Sequence, residues 1–224
     1  ADKGYEKCKK FLGDMYYFGR GTSVDKEKAA KLYEESYNED GMIQLGHMLM
    51  NGDGIPENLE KSVEIFKKYA EWGNARCCAY CSIALTKMLA NNPDKSEILK
   101  YLEMGADGGD AECMYGCGMY NYCGIATPVN YTKAFEYFKN AEELGDIAST
   151  VAVGNMLWSG TGTTQNRNEA FKYIKKAMDA GDKDASTLYE NCLKQIEQEK
   201  QNEQQEIERQ QREKQERERQ ERER

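Results

Sequence analysis

A segment of about 36 residues recurs five times along this chain, and this repetition limits the possible folds more than any other feature. The stretch from Pro128 to Asp146, PVNYTKAFEYFKNAEELGD, aligns without gaps to four others. The five copies begin at residues 23, 56, 92, 128 and 164, so the spacings are 33, 36, 36 and 36. A period of this length is typical of arrays in which each unit packs on its neighbours.

Each copy has the pattern of one amphipathic helix. Apolar or small residues, from Ala134 to Ala141 in the fourth copy, follow the i, i+3, i+4, i+7 spacing of a buried helix face. Four copies carry a glycine where a helix C-terminus favours a left-handed residue, and the first has Asp40 in that column. The third residue is Asp or Asn in every copy, which predicts the helix N-caps Asp25, Asn58, Asp94, Asn130 and Asn166. The predicted closing glycines are Gly73, Gly109, Gly145 and Gly181.

A second helix is predicted ahead of each of these, at residues 11–21, 43–54, 79–90, 114–124 and 151–162. Each unit then consists of a first helix (helix A), a loop and a second helix (helix B). A glycine inside a helix costs about 1 kcal/mol relative to alanine, so a recurring small residue indicates close approach of a neighbouring helix. The small residues are Gly13, Gly46, Ala84, Gly118 and Gly154.

The segments LGDMYYFGRG, LGHMLMNGDG and VGNMLWSGTG, with KAF, EAF and KAA at the starts of helix B, resemble the Sel-one-like repeat family, an α/α relative of the tetratricopeptide repeats. The resemblance covers roughly residues 3–193 and is weakest in the third unit, which has LANNPDKS in place of the glycine loop. It implies an all-α fold, a right-handed α/α solenoid of about five 36-residue helix-turn-helix repeats. A C-terminal capping helix, KDASTLYENCLKQIEQ, is expected to run into a long charged helix.

We therefore divide the chain into a repeat array with its capping helix, residues 1–193, and a charged tail, residues 194–224. The tail contains 9 Lys or Arg, 10 Asp or Glu and 9 Gln among 31 residues. Glu and Arg recur at i, i+4, as in Glu208 and Arg212, which favours a single charge-stabilised helix. A disordered tail and a coiled coil with another chain are the alternatives.

The net charge of −8 argues against nucleic acid and against an anionic membrane surface as the main partner. The sequence has no apolar run of about 18 residues and no apolar core of a signal peptide at its start. Because the chain does not begin with methionine, we expect it to be a fragment or a processed product with further sequence upstream. The expected location is cytoplasmic.

Eight cysteines are expected to be reduced, buried thiols rather than disulfides. The i, i+4 pairs Cys77/Cys81 and Cys113/Cys117 lie 36 residues apart, so four thiolates converging on zinc is the alternative to core packing. In disulfide-rich secreted members of the family, cysteines tether the end of helix B to the next helix A. The resemblance places Tyr69, Gly105 and Ala141 in those partner columns, so the tether cannot form here.

The Gly-x-Gly loops lack the third glycine or the lysine of a nucleotide-binding loop, so they are interpreted as turns. The one histidine, His47, is expected on the exposed edge of helix A, and no motif places a nucleophile beside it. We predict a protein that is not an enzyme and that holds no cofactor and no metal.

Two columns of helix A are predicted to form an exposed ridge on the concave side of the array, suited to binding a peptide. We predict a protein–protein interaction scaffold, monomeric in its array and with a tail that can associate. Its acidic charge favours a protein or peptide partner with basic residues. The alternatives are a regulatory module of a larger enzyme, for example a protein kinase, and a catalytic array that uses His47. The ridge residues are Asp14, Tyr17, His47, Met50, Thr86, Met119, Tyr122, Asn155 and Trp158, with Ile83 in the same column as His47.

Overall fold

The computed structural model describes residues 3–92 and 94–222, and the regular structure within them is α-helical. The helices alternate as A and B partners in five pairs, α1/α2 to α9/α10, and α11 follows them. Their bounds are α1 (Lys3–Phe18), α2 (Lys26–Ser36), α3 (Glu39–Asn51), α4 (Leu59–Glu71), α5 (Ala75–Met88), α6 (Ser96–Asp107), α7 (Ala111–Cys123), α8 (Tyr131–Glu143), α9 (Ile147–Ser159), α10 (Arg167–Asp179) and α11 (Lys183–Arg222).

The chain divides into two compact units, residues 1–149 and 150–224. In the first unit, each of the helices α1 to α8 packs against its neighbours in sequence, and one hydrophobic core runs through their interfaces. In the second unit, α11 packs against α10. The predicted all-α architecture of repeated helix pairs with an added C-terminal helix is confirmed.

The predicted N-caps of helix B are confirmed in four of the five repeats. The side chain of Asp25, Asn58, Asn130 or Asn166 accepts a hydrogen bond from the backbone N–H three residues later. In the third repeat the prediction is wrong by one residue. Helix α6 begins after Lys95, which makes no side-chain cap, and the Asp94 carboxylate instead accepts from the Ser96 N–H two residues on. The irregular loop sequence LANNPDKS therefore shifts the start of this helix.

The closing glycines of helix B adopt the left-handed conformation that was predicted. Their φ angles are 92° at Gly73, 84° at Gly109, 90° at Gly145 and 86° at Gly181. The first repeat differs, because α2 ends at Ser36 and Tyr37 takes the left-handed conformation with a φ of 50°. Asp40 then lies within α3, so the first helix B is shorter than the others.

The small residues inside helix A lie where a side chain of helix B crosses the backbone. A Cβ atom at Gly46 would lie 2.8 Å from the ring of Phe66, and one at Gly118 would lie 2.5 Å from the ring of Phe138. Both rings are fully buried, so they have no free space to move into. The predicted close approach of helices is confirmed, and it explains why glycine is present in spite of its cost in a helix.

Helix α11 continues from the predicted capping segment into the charged tail without a break, as far as Arg222. Its start packs on α10, whereas nearly every described side chain from Lys194 onwards is exposed. Ion pairs one turn apart, such as Arg212 with Glu208, lie along its surface. The tail is therefore helical in the structure. The predicted division of the chain between array and tail at residue 193 stays a prediction.

Candidate functional site

A surface groove of about 440 Å³ lies along the A helices α1, α3 and α5 of the first unit. Its apolar and aromatic walls include Phe18, Ile43 and Tyr80. Charged side chains of both signs stand among them, including Arg76 and the predicted ridge residue Asp14. We call this the first groove.

A second groove, of about 310 Å³, lies between α5 and α7 and reaches down to α6. Its wall is mainly apolar and is formed by Ile83, Leu102 and Tyr120 together with Tyr115. The predicted ridge residue Thr86 lies at the same groove. The wall of this second groove is more apolar than that of the first groove.

Lys87 and Glu112 lie on opposite sides of the second groove, one from each A helix. The Lys87 ammonium donates to the Met50 carbonyl oxygen and to the Asn51 side chain, both at 3.1 Å. Burial, and then the neighbouring Asp110 carboxylate, raises the pKa of Glu112. The groove therefore combines an apolar floor with one charge of each sign at its edge.

Two of the predicted ridge residues, Asp14 and Tyr17, are held by polar contacts within the first unit. The Tyr33 hydroxyl donates to the Asp14 carboxylate at 2.9 Å, and Lys10 pairs with the same carboxylate at 2.8 Å. The Tyr17 hydroxyl donates to Asp53 at 2.5 Å. These contacts fix both side chains at the surface of α1.

His47 is half-buried rather than at an exposed edge. Its ring lies 4.1 Å from the ring of Tyr80 and 5.4 Å from the ring of Phe66, both in edge-to-face geometry. Burial, and then the positive charge of Arg76, lowers the pKa of the imidazole. The neutral ring therefore packs between two aromatic residues. This packing explains why a histidine is present here without any role in catalysis.

The exposure assumed for two ridge residues is wrong. Met50 is 5% exposed and forms part of the hydrophobic core of the first unit. Trp158 is 7% exposed in the second unit, where its ring packs edge-to-face on Phe171 at 5.3 Å. The guanidinium of Arg167 lies 4.8 Å above the same ring, and the indole N–H donates to Gln195 at 2.6 Å.

The other ridge residues are at least partly accessible. Thr86 and Asn155 are exposed, and Met119 is half-buried. The ring of Tyr122 packs edge-to-face on Tyr131 at 5.1 Å, which leaves it half-buried. Binding by the ridge therefore stays a prediction. Sequence reasoning missed Leu102 and Tyr120 as groove residues, because their place depends on how α6 meets α7.

All eight cysteines are free thiols, and Cys8 and Cys123 are the two exposed ones. The six buried cysteines agree with the predicted core packing. Within residues 3–92 and 94–222, no group of three or more His, Cys, Asp or Glu side chains is placed to hold a metal ion. Burial raises the pKa of Cys77, Cys81 and Cys117 to about 12, so these thiols are protonated at neutral pH.

Comparison with known families identifies the repeats. The family model described as Sel1 repeat matches residues 10–40, 39–74, 111–146 and 148–182, which together make up more than half of the chain. The chain belongs to the Sel1 repeat family. The match omits residues 75–110, yet α5 and α6 form the same helix pair there. The third Sel1 unit has thus kept the fold while its sequence has diverged from the family pattern.

Two curated relatives come from Arabidopsis thaliana, namely the ERAD-associated E3 ubiquitin-protein ligase components HRD3B and HRD3A. Each is 37% identical to the chain over 62 residues, which is 26% of the chain. The matched part spans about a tenth of the length of these relatives, 10% of HRD3B and 9% of HRD3A.

Solved Sel1-like structures confirm the fold. A protective antigen of uropathogenic Escherichia coli with an SLR fold is 24% identical, with a TM-score of 0.76, and the match covers 82% of this chain and 40% of that one. A Sel1 repeat protein from Oxalobacter formigenes is 19% identical, with a TM-score of 0.72, and the match covers 82% and 74% of the two chains.

The Sel1 repeat family typically consists of non-catalytic scaffolds. In the described part of the chain, none of the helices combines the length and the apolar character needed to cross a membrane. The cytoplasmic location of the protein stays a prediction.

Proposed function

We propose that this Sel1 repeat chain is a protein–protein interaction scaffold and that the second groove holds a segment of its protein partner. The observation that carries the proposal is the apolar wall of Ile83, Leu102 and Tyr120 between two A helices of the first unit. A wall of this kind suits an aliphatic or aromatic side chain inserted from an extended peptide. Beside it, the Thr86 hydroxyl donates its proton to the Ser82 carbonyl, so its oxygen is left to accept a hydrogen bond from the peptide backbone.

The family and its relatives support this proposal. The two Arabidopsis relatives are named as components of a ubiquitin ligase, so they belong to a protein assembly. By analogy, the present chain brings a partner protein into an assembly rather than acting on it chemically. A partner with basic residues is favoured by the net charge of −8, which speeds the encounter over distances of about 10 Å at moderate salt.

The test is a loss of partner binding on changing Ile83 to serine. The chain is first used to capture its partner, which is identified by mass spectrometry and purified, and its affinity for each variant is then measured by calorimetry. We expect Ile83→Ser to weaken binding at least about 10-fold, since losing the apolar wall against the inserted side chain costs about 1.4 kcal/mol or more.

The matched control is Leu144→Ser, because Leu144 is an exposed apolar residue outside the groove at the end of α8. Circular dichroism checks that both variants keep the helicity of the parent chain. Equal affinity of the parent and Ile83→Ser would show that the partner binds elsewhere.

The structure offers no observation that favours the regulatory module of a larger enzyme, such as a protein kinase, over the scaffold. It stays the alternative prediction. The catalytic array is disfavoured by the packing of His47 between Phe66 and Tyr80.

A further inference from the structure

Helix α1 carries an apolar stripe on the surface of the first unit. Cys8, Phe11 and Leu12 follow the i, i+3, i+4 spacing of one helix face. Phe11 is 66% exposed, Leu12 is 40% exposed, and Cys8 is also exposed. We call this surface the outer face of α1.

In α3, α5 and α7 the columns of Cys8 and Leu12 are buried, and the column of Phe11 is half-buried. Leu12 corresponds to Leu45 in α3, Cys81 in α5 and Cys117 in α7, each of which is at most 3% exposed. Cys8 corresponds to Gly41, which is buried, and to Cys77 and Cys113, which are 0% exposed. The residue types in α1 are therefore those of an interior position, although the positions are open to solvent.

In the third and fourth repeats, the cover comes from the preceding B helix. The ring of Tyr80, which corresponds to Phe11, lies 5.4 Å from the ring of Phe66 in α4. In the next repeat, a Cβ atom at Gly116 would lie 2.6 Å from the Leu102 side chain in α6. The outer faces of α5 and α7 are thus each packed against the B helix that ends just before them.

A second, independent observation lies in the sequence at the start of α1. Gly4 falls in the column of the closing glycines, 36 residues before Asp40 and 69 before Gly73. The tetrapeptide ADKG at residues 1–4 matches AEWG at residues 70–73 and ADGG at residues 106–109, which close α4 and α6. In sequence, residues 1–4 therefore resemble the end of another helix B, although Lys3 and Gly4 lie within α1 in the structure.

The other end of the repeat series is closed in a different way. Within the second unit, α11 covers α10, burying Ala185 and Cys192, and its far side carries polar residues such as Glu190 and Lys194. Terminal units of repeat arrays need such a polar outer surface. The outer face of α1 lacks one, and its apolar residues match the interior of the array.

We propose that the outer face of α1 is the docking surface for one further B-type amphipathic helix, which enters the array directly ahead of Gly4 as part of an additional repeat. This helix would cover Cys8, Phe11 and Leu12 as α4 covers Cys77, Tyr80 and Cys81. The docking surface is separate from the second groove, so it does not depend on the proposed function.

The test adds a helix pair of known geometry. A copy of residues 38–72, which contain α3 and α4, is fused ahead of Gly4 so that the copied α4 precedes α1 as the original precedes α5. Labelling by a maleimide is then followed at each thiol by mass spectrometry. We expect Cys8 to label at least 10-fold more slowly than in the 224-residue chain, whereas Cys123, the other exposed thiol, keeps its rate.

Two matched variants make the result specific. In one, the fused copy carries glutamate in place of the residue copied from Tyr69, which lies beside Cys77 in the parent interface. In the other, the fusion carries Phe11→Glu and Leu12→Glu, which change exposed positions and leave the parent fold intact. Both should restore the fast labelling of Cys8.

The proposal is overturned if Cys8 labels equally fast with and without the fused pair. It is also overturned if the 224-residue chain alone sediments as a dimer with Cys8 already protected, because a second copy would then cover the face.

Discussion

At the scale of single residues, the glycines of helix A determine how closely the two helices of a repeat approach. The Phe138 ring lies across the backbone at Gly118, and Gly46 receives Phe66 in the same way. Any larger residue would have to displace a fully buried ring from a close-packed interior. These positions therefore matter to packing more than to helix propensity.

We predict that Gly118→Ala destabilises the chain by about 1–3 kcal/mol, although alanine is the better helix former by about 1 kcal/mol. The added Cβ would lie 2.5 Å from Phe138, so overpacking outweighs the gain in propensity. Urea unfolding followed by circular dichroism measures the difference.

The control for this prediction is Phe138→Leu, alone and combined with Gly118→Ala. If steric overlap is the cause, the double variant loses less stability than the sum of the single variants. A rise in stability for Gly118→Ala alone would show that the backbone moves apart without cost.

At the scale of elements, α11 both caps the second unit and extends beyond it. Its docked part reaches past the predicted boundary at residue 193, because Gln195 and Glu199 bind Trp158 and Arg167. The Arg167 guanidinium pairs with both oxygens of the Glu199 carboxylate, at 2.5 and 2.8 Å. Beyond this point the helix is stabilised by ion pairs along its own surface.

We predict that a chain ending at residue 206 unfolds at the temperature of the full chain, within about 1 °C, whereas a chain ending at residue 193 unfolds several degrees lower. The shorter chain loses Gln195 and leaves the buried indole N–H of Trp158 without its acceptor, at a cost of about 1–3 kcal/mol. For a protein of this size, each kcal/mol lowers the melting temperature by about 2–4 °C.

The control is the full chain with Gln195→Ala, which removes the acceptor and keeps the helix length. It should reproduce part of the loss seen on ending the chain at residue 193. Equal melting temperatures for the chains ending at 193 and at 206 would contradict the docking of this segment.

At the scale of the whole molecule, stability depends on helix interfaces in which thiols and phenols are buried. Burial raises the pKa of Cys77, Cys81 and Cys117 to about 12, and that of Tyr101 and Tyr137 also to about 12. The ordinary values are about 8.5 for Cys and 10 for Tyr. The folded chain thus holds these protons more tightly than the unfolded chain does.

We predict that stability is constant between about pH 7 and pH 8 and falls as the pH rises from about 8.5 towards 12. Because the folded pKa values are raised, their contribution is complete below the unfolded values and is lost as the pH approaches the folded ones. Each thiol contributes a slope of at most about 1.4 kcal/mol per pH unit.

Urea midpoints measured from pH 7 to pH 10.5, with reductant and chelator present, provide the test. The variant Cys77→Ala with Cys81→Ala should show a shallower fall. An unchanged midpoint of the parent chain up to pH 10.5 would mean that the thiols ionise freely in the folded state.

Local sequence information was sufficient for much of this protein. The 36-residue period, the caps at Asn58 and Asn130 and the glycine at Gly145 identified the helix pairs, because capping and helix periodicity involve contacts within a few residues. The N-cap prediction from local sequence was wrong at Lys95, where the loop sequence departs from the repeat pattern.

Only the tertiary structure decided which side chains of helix A are accessible. Met50 and Trp158 occupy a column that also contains Thr86, yet they are buried and Thr86 is exposed. Burial depends on what a neighbouring helix or α11 brings against each position, and that partner is distant in sequence. For the same reason the second groove and the open outer face of α1 became visible only once the helices were packed.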